Sequence, residues 1–372
     1  MTFRFFKKSI CLALTTLSAL SMSTAMAQAE APVLNIYNWS DYIADDTIKN
    51  FEKETGIKVR YDTFDNNEIV HAKLVAGKTG YDIVVPSSNW AKIQIDGGLL
   101  AKLDRNQLSN YGNLDKGLMS SVSKLDPNNA YLVPWLWGIT TVGINVDKVK
   151  AALGDLPMPS NVYDLVFDPK YMARVKSCGV SYLDSASEII PTAMFYLGKN
   201  PYSKNIQDYA GVAPLLAKVR PFISVFSSSG YINDLAGGSI CVALGWSGDI
   251  NIAKNRAIEA KNGQKIQALL PSNGAVPFFD MMAIPSDAAH PGNAHKFINY
   301  IMRPEVQAQI TNKVFYPGPN EAAKKFIKPE IANDPTIFLT DDYKKKLVTV
   351  DAVNNDIRRA VTRLYTGFKT GL

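Results

Sequence analysis

The chain has 372 residues, 47% of them hydrophobic, with 40 Lys and Arg against 34 Asp and Glu for a formal charge of +6. That profile excludes a disordered, collagenous or low-complexity chain and is long enough for two compact domains. The positive excess is small and dispersed. Its longest run, Lys344-Lys345-Lys346, suits a solvated helix face, so no nucleic-acid partner is expected.

The N-terminus carries the pattern of an export leader. Arg4, Lys7 and Lys8 form a basic region, and Ile10 to Met22 is apolar but too short to span a bilayer. Ala25-Met26-Ala27 then supplies the small-x-small signal for cleavage after Ala27, with Ala27-Gln28-Ala29 as a second acceptable site. Cleavage removes three basic side chains and leaves 345 residues at a charge of +3. Cys11 sits inside the apolar stretch and not just past its end, which argues against a lipid anchor. The expectation is a soluble, exported protein without a membrane anchor.

Beyond the leader the sequence alternates strand and helix signals. Val33 to Tyr37 alternates apolar and polar, Asp45 or Asp46 can cap the helix that follows, and Gly56 ends it. Ile57 to Phe64 reads as a strand, and Tyr81 to Val85 as a buried strand stopped by Pro86. Cys178 to Leu183, Ile240 to Gly245 and Phe279 to Ile284 repeat the short apolar signature, with a helical stretch from Ile250 to Lys261 closed by Gly263. This order implies mostly parallel sheets with helices on both faces. Pro134 to Asp147 is the best place for the chain to cross between lobes, with a return near 263–270.

Once the leader is removed, Cys178 and Cys241 remain. Two cysteines in an oxidising compartment suggest one disulfide closing a loop of about 64 residues, with a catalytic thiol as the rival reading.

Enzymatic signatures are absent. His71, His290 and His295 lack zinc-ligand spacing, no G-x-G-x-x-G or Walker sequence occurs, and no metal or cofactor is expected. Gly245-Trp246-Ser247-Gly248-Asp249 approaches a nucleophile elbow, but Asp249 replaces the last glycine. Aromatic and carboxylate residues gather instead at predicted strand ends, where open α/β sheets bind ligands. Trp39, Ser40, Asp41 and Tyr42 follow the first strand and Ser87 and Ser88 the buried one. Asp184 and Glu188 follow Cys178–Leu183; Trp246 and Asp249 follow Ile240–Gly245; Phe278 and Asp280 sit at a strand start, and Tyr316 in a late loop. Carboxylates beside aromatic rings suit an amine with a methylene stem, which takes charge-assisted hydrogen bonds and a cation–π contribution. Plainer roles stand beside this one. Ser185 and Glu188 fit a capping box, Asp184 and Asp249 can cap helices, and Trp39 and Trp246 can belong to the core.

Asn35 to Ile43, Ala72-Lys73-Leu74, Ala76-Gly77-Lys78, Tyr81 to Ser87, Cys178 to Ser181, Tyr231 to Ala236, Phe278-Phe279-Asp280 and Arg303 to Val306 together resemble the periplasmic polyamine-binding proteins of bacterial ABC importers, in particular their putrescine-binding branch. The resemblance implies the type II two-lobed α/β periplasmic binding protein fold, closing over its ligand by a hinge. Lobe 1 is expected over residues 28–138 and 267–315, and lobe 2 over 139–266 and 316–372. Trp39, Trp246, Phe278 and Tyr316 would line the cleft, and Ser40, Asp41, Ser87, Glu188, Asp249 and Asp280 would hold amino groups. A Cys178–Cys241 disulfide is implied as well, as is delivery to an inner-membrane ABC permease. Ser227-Ser228-Ser229-Gly230 departs from the His-Ser-Ser usual in putrescine binders, and Trp137 to Thr141 is a variant segment. Spermidine and agmatine are the alternative ligands, and a secreted carboxylate-dependent hydrolase is the remote one.

Overall fold

The computed structural model describes residues 1–2 and 30–371. The basic and apolar regions of the expected leader and its cleavage site lie outside the described residues. Among the described residues there are eleven strands: β1 (Val33–Trp39), β2 (Lys58–Phe64), β3 (Ile83–Val84), β4 (Leu100–Ala101), β5 (Val133–Asn145), β6 (Val180–Tyr182), β7 (Val225–Phe226), β8 (Val242–Trp246), β9 (Ile266–Leu269), β10 (Pro277–Met282) and β11 (Ile284–Pro285). Helices separate most of them, as the alternating pattern requires.

In the first lobe, β1 runs parallel to β2 and β3, with Ile36 opposite both Tyr61 and Ile83. Leu34, Ile36 and Ile83 are fully enclosed beneath the helices, each contributing about 1.5–3 kcal/mol through burial. Isolated bridges Ser87–Asp280, to β10, and Val84–Ala283, just past its end, join this region to β10, which pairs antiparallel with the first half of β5. The second half of β5 belongs to the other lobe, where it pairs antiparallel with β8 and β9. There β8 runs parallel to β6, and β6 parallel to β7. One thirteen-residue strand therefore threads both lobes.

The chain returns to the first lobe between β9 and β10, in residues 270–276. Before that connection, β9 makes its ladder with the second-lobe half of β5. The turn Glu321–Phe326 still packs against helix Pro304–Val314, and only helix Asn355–Thr370 rests on Ala186–Tyr196. Asn320 caps the 321–326 turn and donates to Met302 O, which holds that turn beside helix Pro304–Val314.

The expected Cys178–Cys241 disulfide is present and fastens the chain before β6 to the chain entering β8. Among the described residues no helix is long and apolar enough to cross a membrane.

Candidate functional site

Parallel strands end at the same side of a sheet, so whatever follows β1, β3, β6 and β8 is delivered to one place. Trp39 closes β1, Ser87 follows β3, Glu188 lies in the first helical turn after β6, and Trp246 and Asp249 stand at the β8-to-helix junction. The two sheets face each other, and these residues meet in a narrow cavity between the lobes. Phe278 and Asp280 of β10 and Tyr316 complete it.

The walls are aromatic. Trp39 from the first lobe meets Trp246 from the second edge-on, with ring centres 5.6 Å apart. Phe278 packs beside Trp246 at 6.4 Å and beside Tyr316 at 6.1 Å, and Tyr42 stands perpendicular to Tyr316 at 5.0 Å. The indole N–H of Trp39 donates to Val85 O at 2.8 Å, which fixes that ring. Tyr316 fits because Gly248 faces it: a Cβ there would overlap the phenol ring.

Three buried carboxylates face this space, Asp280, Asp249 and Glu188 at 3%, 5% and 8% exposure, with the exposed Asp65 a fourth at its edge. Asp280 accepts from Ser87 Oγ at 2.7 Å and Tyr42 Oη at 2.9 Å. Asp249 accepts from Tyr316 Oη at 2.7 Å and Tyr231 Oη at 3.0 Å. Glu188 accepts from Thr140 Oγ1 at 2.6 Å. Among the described residues none of the three takes part in an ion pair. Burial without a cation pushes each of them up to about 7, against the pull of their hydroxyl donors. The same burial, with the neighbouring carboxylates, raises Tyr42, Tyr231 and Tyr316 far above the ordinary phenol range. These tyrosines remain neutral donors to the acids. The site is a negative, desolvated slot that favours a positive guest.

Nine of the ten expected site residues line this cavity: Trp39, Ser40, Ser87, Glu188, Trp246, Asp249, Phe278, Asp280 and Tyr316. Asp41 does not. Its backbone is left-handed at φ 52°, and its carboxylate pairs across the lobes with Arg256 at 2.6 Å. The helix-cap readings also resolve. Ser185 makes no side-chain cap bond, and the Glu188 carboxylate turns to Thr140. Asp184 bonds to Tyr365 and Lys369, and Asp249 to the two tyrosines. Asp46, at the start of helix Thr47–Thr55, makes no side-chain cap bond, whereas Gly56 ends that helix at φ 72° as its position suggested.

Sequence reasoning did not select Phe64, Asp65 or Ile232, which also line the cavity, as do Ser228 and Ser229 of the segment that departs from the putrescine-binder pattern. Phe64 ends β2, so the strand-end rule was sufficient to find it. Thr140 and Tyr231 act on the acids from outside the lining, and no local signal marks them. The three histidines lie elsewhere. His71 packs on Trp90, His290 on Asp82, and His295 bonds to Asp104 N and Pro291 O. Among the described residues no cluster of His, Cys, Asp and Glu has the form of a metal site.

Comparison with known proteins places this geometry in a family. Residues 46–339 match the model of the bacterial extracellular solute-binding proteins. The chain is 47% identical over 353 residues to the putrescine-binding periplasmic protein of Escherichia coli (strain K12), covering 95% of each chain. It is also 47% identical over 360 residues to the putrescine-binding periplasmic protein of Pseudomonas aeruginosa (strain UCBPP-PA14), covering 96% of this chain and 98% of that one. Among solved structures, a putative spermidine/putrescine ABC transporter from Listeria monocytogenes superposes with a TM-score of 0.81 at 29% identity, over 91% of this chain and 99% of that one. The two-lobed α/β architecture, the disulfide and these matches agree, and the chain belongs to the bacterial extracellular solute-binding protein family.

Proposed function

We propose that the protein captures a linear polyamine, putrescine before spermidine or agmatine, between its two lobes and presents the closed form to an ABC importer. The observation that carries this reading is the unpaired set of three desolvated carboxylates, contributed by both lobes to one aromatic slot. Asp280 belongs to the first lobe and Glu188 and Asp249 to the second. A diamine brings two ammonium groups to acids on opposite lobes, and its methylenes lie against Trp39, Trp246 and Phe278. Each ammonium gains charge-assisted hydrogen bonds, and a cation near these rings gains a further ~0.5–2 kcal/mol. Because the acids belong to both lobes, the ligand binds the closed form better than the open one. Differential affinity of that kind is what shifts the conformational balance.

The names of the two relatives support putrescine within the class. The chain acts in this account as a binding protein and not as an enzyme. Ser247 Oγ accepts from Ile139 N and no histidine is among the residues lining the slot, so no serine–histidine pair stands there. In keeping with that role, residues 1–27 are proposed to be a cleaved leader, the mature protein an unanchored periplasmic monomer, and its partner an inner-membrane permease. The lobes are proposed to divide near residue 139, within 270–276, and after residue 326.

Calorimetric titration with putrescine tests the reading. Saturable one-to-one binding is expected, and no heat with any polyamine would refute it.

A further inference from the structure

Helix Asn67–Ala76 begins on the first lobe, where Asn66 caps it by accepting from Ile69 N at 2.9 Å. Its first two residues reach in different directions. Asn67 stays on its own lobe, donating through Nδ2 to Ser87 Oγ at 2.9 Å and accepting from Ser87 N at 2.9 Å. Ser87 Oγ in turn donates to Asp280. Glu68 crosses to the other lobe, and its Oε1 accepts from Ser187 N at 3.2 Å. Ser187 belongs to the first turn of helix Ala186–Tyr196, immediately before Glu188.

That helix has an orphan start. Ser185, at its N-cap position, supplies no side-chain acceptor, and the first N–H groups of a helix need partners from elsewhere. Glu68 supplies one from the opposite lobe, where a carboxylate also suits the positive end of the helix dipole. The second Glu68 oxygen is buried without a partner, and the Glu68 charge adds to the field that raises Glu188. A single helical turn is thus linked to Asp280 on one lobe and to the helix bearing Glu188 on the other. Beside it, Arg358 of the second lobe lies over the ring of Trp90 at 5.5 Å, so the junction is packed and not merely bridged.

We propose that Glu68 is a positioning residue of the amine site, forming its bond to the Ser187 amide on lobe closure and thereby fixing the helix that presents Glu188. The inference rests on the polyamine-capture reading and adds to it a device outside the ligand's reach. Since the bond spans the lobes, the open form lacks it, and the ligand meets the open form first. Association is then insensitive to Glu68, while reopening, which precedes release, must break the bond.

The test is stopped-flow binding of putrescine to the full mature protein, following Trp fluorescence, with Glu68→Ala and Glu68→Gln compared to the wild type. Glu68→Ala is expected to raise the dissociation rate about tenfold, the scale of one charge-assisted hydrogen bond, and to leave the association rate within twofold. Glu68→Gln keeps an acceptor for the Ser187 amide and is expected to return the dissociation rate to within about threefold of wild type. Hydrogen exchange at the Ser187 amide, slow in the putrescine complex, should quicken in Glu68→Ala and not in Glu68→Gln. A Glu68→Ala dissociation rate equal to wild type, or a change confined to association, overturns the role of Glu68 while leaving capture intact. A wild-type protein that binds no amine overturns the capture reading, and this one with it.

Discussion

Asp249→Asn separates ligand binding from fold stability, because the two should move in opposite directions. In the closed protein Asp249 is pushed up to about 7 by burial, from an ordinary value of 3.8. Its hydroxyl partners, Tyr316 and Tyr231, only partly offset that desolvation. Above pH 7 the buried anion costs the unliganded closed form up to about 4 kcal/mol, at 1.36 kcal/mol per unit. The sign follows from proton counting. Between pH 3.8 and about 7 the folded protein holds more protons than the unfolded chain, so this group's contribution falls as pH rises through that window. An ammonium group that reaches Asp249 replaces the lost solvation. Removing the charge strands that ammonium, at a net cost of about 2–3 kcal/mol, or roughly 30- to 150-fold in affinity. Putrescine titration at pH 8 should show that loss, while thermal unfolding without ligand should place the variant at or above wild type. Affinity within threefold of wild type, or a variant that melts lower without ligand at pH 8, would refute the reasoning.

Binding should release protons near neutrality, since all three acids sit at about 7 when empty and a dication holds them ionised. Affinity should fall below pH 7 by roughly tenfold per pH unit for each coupled proton. Binding enthalpies identical in phosphate and Tris at pH 7 would contradict this. Gly248→Ala places a methyl group in the Tyr316 ring and should weaken putrescine binding more than tenfold, with an overpacking cost of about 1–3 kcal/mol read by urea unfolding. Unchanged binding would show that Tyr316 does not hold the slot. Replacing both Cys178 and Cys241 by Ser opens a loop of about 64 residues and should lower unfolding free energy by up to about 4 kcal/mol. Binding below the transition should persist, because neither sulfur lines the cavity; an unmoved urea midpoint would count against the entropic estimate.

The site was legible where it obeyed local rules. Trp39, Ser87, Glu188, Trp246 and Asp249 could be found because each lies at or just past the end of a strand whose apolar run is short and plainly bounded, and parallel strands gather their ends. Phe64 obeys the same rule at the end of β2, yet an aromatic ending an apolar run reads first as core. Asp41 adjoins Trp39 and Ser40 in sequence and is turned out of the cavity by its left-handed backbone and by Arg256, a partner 215 residues away. Glu188 showed the limit of capping logic. Its spacing from Ser185 fits a capping box, but Thr140, on the strand that threads the lobes, offers the carboxylate a buried hydroxyl. The cap for that helix comes from Glu68. Composition does not change along the segments that connect the sheets, so the sequence carries no marker for them, and it is the β5–β9 and β5–β10 ladders that assign each segment to a sheet.

The most direct test of the account is calorimetric titration of mature protein, unfolded and refolded to strip carried-over ligand, with putrescine, cadaverine, agmatine, spermidine and lysine. The account predicts saturable one-to-one binding of putrescine with spermidine much weaker. Tight spermidine binding would keep the cation slot and contradict the choice of putrescine; silence with every amine would contradict the central claim that three unpaired acids await a polyamine.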